Sequence, residues 1–363
     1  MSSRLKYRIL VLLLASGMCL SIGAAFSPAR ASQVRVHKAR MIQHWRMNRN
    51  RKQSIRTRSR PLRNVLKPTS LKRYHVVHNH DDDLFNKSWM SKGSHRRETV
   101  RSISGPKVTF KTVRFLPRRI GSAHYLQSIA VTPNGHYAYL GYGASSYLSG
   151  YTKIARVNLR RRHGGIKAGR RFFGGHGQAL SYNPRTNQLW LLVDVIGPVN
   201  RGAFAEISAK SLRPVHRLRF RFGNEEMGDD LAFDSRGTAY NEDRIWNYNS
   251  TGRFHPGSIV LYRGLINRHR AKFVRINQGI FQAPGQVIQG MACNPRTRRL
   301  YIETDEAIMS MPIRKLGHLS SRNVKETILK GHREYEGLSF DRTGHAYILM
   351  NQPDEVLRST RVY

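Results

Sequence analysis

The sequence has few cysteines and few acidic residues. Among 363 residues there are two Cys, and 22 Asp and Glu stand against 63 Lys and Arg, a formal net charge of +41. Two cysteines exclude a fold that is stabilised by several disulfides. With 39% apolar residues the chain is too hydrophobic to be wholly disordered. The excess of basic over acidic residues is larger than solubility requires, and it predicts an anionic partner.

Common catalytic and anchoring motifs are also missing. No G-x-S-x-G, H-E-x-x-H, C-x-x-C or phosphate-cradling glycine loop occurs, and no LPxTG-type sorting motif closes the chain. Beyond the N-terminal segment no apolar run reaches the roughly 20 residues that span a bilayer. We therefore assign no catalytic residue, cofactor or metal site. Enzymatic activity stays open, with a non-enzymatic role favoured.

The N-terminal residues 1–31 have the pattern of a secretory signal peptide. Arg4, Lys6 and Arg8 precede an apolar stretch that begins at Ile9, and Ala29-Arg30-Ala31 supplies a small-residue cleavage site. Cleavage before Ser32 predicts a secreted, extracellular protein that remains associated with the cell surface. The alternative is an uncleaved membrane anchor.

Residues 32–106 form a basic arm. Between positions 33 and 101 there are 19 Lys and Arg against four acids, with few apolar residues among them. Such a segment cannot bury enough surface to offset the entropy lost on ordering, so we expect it to be mostly disordered. Arg56, Arg58 and Arg60 are candidate polyanion-binding residues. The His75–Asp83 cluster could ligate a metal, but its irregular spacing favours a polar linker.

From residue 107 onward one pattern recurs five times. Each copy has a polar residue, an aliphatic anchor two positions later, a turn rich in Asn, Asp, Pro or Gly, and an aromatic strand. The anchors are Ile129, Leu180, Leu231, Met291 and Leu338. Their separations of 51, 51, 60 and 47 residues are typical of a four-stranded propeller blade.

The strand count requires a closing strand from the N-terminal side. After the fifth repeat the chain ends before a fourth strand can form, whereas Val108–Phe115 precedes the first repeat as an unassigned strand. A strand supplied in this way removes the open sheet edges between the two ends of the chain. The sequence therefore predicts an all-β, five-bladed β-propeller over residues 107–363. A different blade number, a sandwich and an open solenoid are the alternatives.

The repeats resemble the hairpins of secreted YVTN, NHL and lactonase-like β-propellers. The resemblance is carried by Val131-Thr132-Pro133-Asn134-Gly135 and Tyr137-Ala138-Tyr139, and it covers residues 107–363. The whole chain also resembles uncharacterised extracellular proteins of lactic-acid-type Gram-positive bacteria. These motifs are structural, so the resemblance implies the fold and assigns no catalytic residue.

The residue two positions before each anchor is polar in all five repeats. Because first strands line the central channel of a propeller, these residues are expected to form a ring at one channel mouth, with further polar groups on the same loops. The candidate ligand-binding residues are Gln127, Gln178, Asp229, Gln289, Glu336, Glu226, Asp230 and His176. The ring could hold a cation or a sugar. It could equally be polar because the channel is wet.

Two function classes follow from these features. Arginines alternate with apolar residues on the outer strands, and the candidate polyanion-binding residues there are Arg161, Arg217, Arg219, Arg221 and Arg270. The first hypothesis is a cell-envelope binding or adhesion protein held by anionic wall polymers or acidic polysaccharide, with extracellular DNA as a further partner. The alternative is a secreted glycosidase or lactonase-like hydrolase that uses acidic residues at the channel mouth.

Overall fold

The structure is a computed structural model that describes about three fifths of the chain. The described residues are 64–66, 97–102, 108–117, 119–121, 123–144, 150–161, 164–193, 202–220, 228, 230–248, 254–276, 278–281, 288–304, 307–320, 322–328, 335–351 and 354–363. The expected signal peptide, Arg56, Arg58, Arg60 and the His75–Asp83 cluster lie outside them. So do Arg221, Glu226 and Asp229.

The described part is all-β, with one single-turn 3-10 helix at Ile313–Lys315. Three strands precede the first repeat: β1 (Asn64–Leu66), β2 (Arg97–Ser102) and β3 (Val108–Phe115). No helix in the described ranges is long and apolar enough to span a membrane.

Five antiparallel blades follow in chain order. Blade 1 contains β4 (Ala123–Val131), β5 (Tyr137–Ala144), β6 (Tyr151–Asn158), β7 (Ile166–Ala168) and β8 (Phe172–Phe173). Blade 2 contains β9 (Leu180–Asn183), β10 (Gln188–Val193), β11 (Gly202–Ile207) and β12 (Pro214–Phe220). Blade 3 contains β13 (Ala232–Phe233), β14 (Ala239–Tyr248), β15 (Phe254–Ile266), β16 (Ala271–Arg275) and β17 (Gln278–Phe281). Blade 4 contains β18 (Ile288–Asn294), β19 (Arg299–Thr304), β20 (Ala307–Pro312) and β21 (Lys325–Ile328). Blade 5 contains β22 (Tyr335–Phe340), β23 (Ala346–Met350) and β24 (Glu355–Ser359).

The innermost strands close a ring. In chain order β4 contacts β9, β9 contacts β13, β13 contacts β18 and β18 contacts β22, and β22 contacts β4 again. Blade 5 is completed by β3, which pairs antiparallel with β24 from Glu355 opposite Phe115 to Ser359 opposite Phe110. The prediction of a five-bladed propeller closed by Val108–Phe115 is confirmed.

Two strands from the basic segment also join the sheets. β2 pairs with β21 of blade 4 and with β3 of blade 5, so these two blades share one continuous nine-stranded sheet. β1 pairs in parallel with β17 of blade 3. Both strands lie within residues 32–106, and they place parts of that segment on the propeller.

The core lies between the blades. The strand β10 has the burial pattern of a central strand, with every residue from Leu189 to Val193 buried, because neighbouring blades cover both of its faces. Trp190 of blade 2 belongs to one cluster with Phe233 and Tyr262 of blade 3. Truncating a buried aromatic side chain of this kind costs about 3–5 kcal/mol.

Aspartate side chains fix two of the hairpin turns. Asp341 Oδ1 accepts hydrogen bonds from the backbone N–H groups of Thr343 (2.9 Å) and His345 (3.1 Å), and Tyr347 donates its hydroxyl to Asp341 Oδ2 (3.1 Å). Burial and the Asp341 charge raise the pKa of Tyr347 to about 12. The same arrangement occurs at Asp234 and Tyr240. The repeated Asp-to-aromatic spacing in the sequence is therefore a turn-fixing device.

Candidate functional site

We call the ring of first strands, together with the segments that precede them, the hub, and four of its five expected polar positions are described. Gln127, Gln178, Gln289 and Glu336 are buried, with exposures of 5%, 9%, 7% and 3%. Asp229, the fifth member of the expected ring, lies outside the described residues. The first strands contact one another in a ring, so the four described positions are distributed around that ring.

Hydrogen bonds tie several hub residues together. Gln127 Nε2 donates to Glu336 Oε2 (3.3 Å), and Asn351 Nδ2 donates to Glu336 Oε1 (2.8 Å). Gln178 of blade 2 donates to the carbonyl oxygen of Ile288 in blade 4 (3.1 Å). Blades 2 and 4 are not neighbours in the ring, so this bond crosses the hub. A ligand at this position would have to replace these contacts. Ligand binding by the ring stays a prediction.

Further acidic side chains near the first strands are buried. Asp230 is 2% exposed, and Glu242 and Glu303, on the second strands of blades 3 and 4, are completely buried. Glu303 Oε2 lies 3.1 Å from the position that a Cβ would take at Gly290, which places it beside a first strand. Sequence reasoning missed Glu242 and Glu303, although a glutamate within a predicted strand of a blade is a usable signal.

The expected loop residue His176 is half-buried. Its carbonyl oxygen lies 2.9 Å from the position of a Cβ at Gly143, so it borders the second strand of blade 1. Among the described residues no three His, Cys, Asp or Glu side chains form a group that could hold a metal ion.

The outer strand of blade 2 shows the alternation that its sequence predicts. Arg217 and Arg219 are exposed, whereas His216, Leu218 and Phe220 are half-buried. Arg217 Nη2 donates to the carbonyl oxygen of Phe173 in blade 1. Burial and the neighbouring Arg219 charge lower the pKa of Arg217. Two guanidinium groups therefore stand close together on one face of this edge strand.

Charge is segregated between interior and surface. None of the acidic side chains whose burial is described is exposed. The buried ones are Glu206, Asp230, Asp234, Glu242, Glu303, Glu326, Glu336, Asp341 and Glu355, and Asp354 is intermediate. Basic side chains are exposed on every blade, including Arg161, Arg185, Arg217, Arg219, Arg263, Arg270, Lys272, Arg296, Arg314, Arg342 and Arg361. The charged groups exposed on the described surface are therefore cationic, and they include the candidate residues Arg161, Arg217, Arg219 and Arg270.

The solved structures that are similar to this chain match it at low sequence identity. A soluble aldose sugar dehydrogenase from Escherichia coli is 11% identical, with 70% of this chain and 99% of that chain covered and a TM-score of 0.39. A periplasmic gluconolactonase from Pseudomonas aeruginosa is 10% identical over 70% of this chain and 76% of that chain, also with a TM-score of 0.39. A streptogramin B lyase is 10% identical over 69% and 97% of the two chains, with a TM-score of 0.35.

No protein-family model matches the sequence, and comparison with curated proteins finds no significant similarity.

Proposed function

We propose that the protein is a secreted binding protein that attaches electrostatically to anionic polymers at the cell surface: teichoic acids, acidic polysaccharide or released DNA. The observation that carries the proposal is the segregation of charge, with the described acids buried or half-buried and cations exposed on all five blades. An acid on the surface would pair with neighbouring cations and weaken the attraction to a polymer. Apart from exposed arginines such as Arg236 and Arg268, which pair with the buried Asp234 and Glu206, the cations of the described surface are available for phosphate or carboxylate.

Secretion and the basic arm support the same proposal. The segment 1–31 would export the chain, and the arm would add about fifteen positive charges to those of the propeller. Attachment of this kind gains free energy from the release of counterions, so it is tight at low salt and weak at high salt.

Binding to a panel of immobilised polymers tests the proposal. The panel contains a poly(glycerol phosphate) teichoic acid, a polyuronate and neutral dextran, and the affinity for each is measured by biolayer interferometry. We expect binding to both anionic polymers and none to dextran. The double variant Arg217→Glu/Arg219→Glu should weaken binding several-fold, and its control Arg217→Lys/Arg219→Lys should keep most of it because the charge is retained. Equal binding to dextran, or an unchanged affinity of the Glu variant, contradicts the proposal.

A second candidate function is hydrolysis of a glycan or lactone at the hub. The observation that favours it is Glu336, a buried carboxylate whose two oxygens are held by the amides of Gln127 and Asn351. A carboxylate positioned in this way could act as a general base. Turnover of a glycan and lactone panel that disappears in Glu336→Gln but persists in Glu326→Gln, a buried glutamate on an outer strand, would support it. Absence of turnover by the unaltered protein would exclude it for that panel.

A further inference from the structure

Two aromatic side chains are exposed beside arginines at the outer part of blade 1. Tyr151 and Phe173 are 43% and 40% exposed. They stand opposite each other on paired strands β6 and β8, with ring centroids 6.4 Å apart and ring planes at 82°. Large apolar groups that lie together on a surface mark a contact site more often than scattered ones do.

Local structure holds the two rings in place. The carbonyl oxygen of Gly150 accepts hydrogen bonds from the N–H groups of Gly174 (3.0 Å) and Gly175 (2.9 Å), which joins the start of β6 to the residues after β8. Gly150 has a positive φ of 61°, and a Cβ there would meet the ring of Phe173. Glycine at this position therefore leaves the space that the Phe173 ring occupies.

Arginines complete the cluster from two blades. The guanidinium carbon of Arg171 lies 5.2 Å from the centroid of the Tyr151 ring, over its face. Arg171 is exposed, so the guanidinium covers one ring and remains accessible from solvent. Arg217 of blade 2 donates to the carbonyl oxygen of Phe173, and Arg219 lies two residues further along the same exposed face of β12. The two aromatic rings and the Arg171 guanidinium thus lie next to the guanidinium groups of Arg217 and Arg219.

We propose that Tyr151, Phe173 and Arg171 form a stacking site for a base of a single-stranded polynucleotide, whose phosphates are bound by Arg217 and Arg219. This inference rests on the proposed polyanion binding and names one of its partners. Bases stack on aromatic side chains and on guanidinium planes, and a cationic surface beside such a platform follows the phosphate backbone.

Two features favour a nucleobase over the other polyanions. A poly(glycerol phosphate) chain has no ring that could stack on Tyr151 or Phe173. A saturated sugar ring packs on aromatic carbon but gains little from a guanidinium plane, and in this cluster a guanidinium covers one of the two rings. A planar, electron-rich base gains from both surfaces.

Affinity measurements on the full-length protein test the proposal. The probe is a fluorescent oligothymidylate of about 20 nucleotides, compared with its duplex and with a polyuronate, at about 0.3 M salt, where screening reduces the contribution of distant charges. We expect Tyr151→Leu to weaken single-strand binding about fivefold or more. Arg171→Lys, which keeps the charge and loses the plane, should also weaken it. Phe115→Leu, at another exposed aromatic (49%), is the control and should leave it unchanged.

A second readout locates the contact directly. An oligonucleotide that contains 5-iodouracil is irradiated in complex with the unaltered protein, and the cross-linked peptides are sequenced. Cross-links at Tyr151 or Phe173 support the site even if a variant is too unstable to purify. Cross-links confined to other peptides overturn it, as does a polyuronate affinity that falls in Tyr151→Leu while single-strand affinity does not. Failure of the unaltered protein to bind any polyanion would instead overturn the proposed function.

Discussion

Arg268 of blade 3 donates two hydrogen bonds to Glu206 of blade 2, from Nε to Oε2 (2.5 Å) and from Nη2 to Oε1 (2.7 Å). Gln188 donates a further bond to Oε1 (3.0 Å), so the buried carboxylate is held from both sides. A bidentate pair of this kind fixes orientation as well as charge. Glu206 thus shows the role of an acid inside a propeller whose surface is rich in cations: it connects two blades.

The Glu206–Arg268 pair predicts a loss of stability at acid pH. The bonds from Arg268 lower the pKa of Glu206 below its ordinary value of 4.5. Because the folded-state pKa is the lower one, the pair stabilises the fold above that ordinary value, and the contribution is lost as the pH falls through the lowered pKa. Glu206→Gln should lower Tm by a few degrees near neutral pH, and this difference should shrink as the pH falls through the lowered pKa, as measured by thermal unfolding.

Arg270, an exposed arginine on the same loop, is the control for substitution of Arg268. Arg268→Lys loses the two-pronged geometry and should lower Tm at neutral pH, whereas Arg270→Lys should not. Equal effects of the two substitutions, or a pH-independent effect of Glu206→Gln, would show that the pair does not connect the blades.

We expect a larger loss of stability when Asn294, at the junction of blades 4 and 5, is replaced. Its Oδ1 accepts from the N–H groups of Arg296 (2.9 Å) and Thr297 (3.2 Å), and its Nδ2 donates to the carbonyl oxygens of Gly344 (3.3 Å) and Tyr363 (3.0 Å). Asn294→Ala leaves several buried groups without partners and should cost about 2–3 kcal/mol in urea denaturation.

Asn183 holds the equivalent turn position in blade 2 and is the matched control. It accepts from the N–H of Arg185 (3.1 Å) in the same turn. Asn183→Ala should cost only about 1 kcal/mol, since the connection to the next blade is not lost with it. Equal costs at Asn183 and Asn294 would mean that the bonds to Gly344 and Tyr363 contribute nothing.

Alanine substitutions at Gly344 and Gly164 distinguish the free-energy cost of backbone strain from that of side-chain crowding. Both have positive φ, 86° and 64°. A Cβ at Gly344 would lie 2.8 Å from the Cβ of Arg296 in the adjacent blade, whereas nothing lies within 4 Å of one at Gly164. Gly164→Ala should cost about 1 kcal/mol from strain alone, and Gly344→Ala about 2–4 kcal/mol from strain and crowding together. The difference between the two free energies of unfolding is the measurement, and no difference would remove the packing argument.

The fold could be predicted from the sequence because the repeat is strong at several levels. The anchors Ile129, Leu180, Leu231, Met291 and Leu338 recur at blade spacing, and all five are buried. The strand Val108–Phe115 was required by the count of strands and pairs as expected. The strand β2 was not predicted, since its arginines resemble the rest of the basic arm and its partners are two sheet edges that only the folded ring presents.

The candidate sites could be predicted only in part. The polar hub positions follow from the repeat alignment, whereas the bond from Gln178 to Ile288 depends on the diameter of the hub, which no local pattern encodes. The exposed cations were visible as alternation in β12. The Tyr151–Phe173 pair was not, because β8 is two residues long and its register with β6 is set by the folded blade.

Cys293 is expected to be an unreactive thiol. It packs against the core cluster of blades 3 and 4, and burial raises its pKa well above the ordinary value. Since the thiolate is the reactive form, alkylation by iodoacetamide should be at least about tenfold slower in the folded protein than in urea. The rate is read by mass spectrometry of the peptide that contains Cys293. Comparable rates in the two conditions would contradict protection of the half-buried thiol by the fold.

The salt dependence of the affinity for the poly(glycerol phosphate) teichoic acid tests the proposed role of the cationic surface most directly. The logarithm of the association constant of the full-length protein is measured against the logarithm of the sodium chloride concentration, from about 0.05 to 0.5 M. The account predicts a straight line with a slope steeper than about −3, which corresponds to release of several counterions. A flat line, with affinity unchanged over that range, would contradict it.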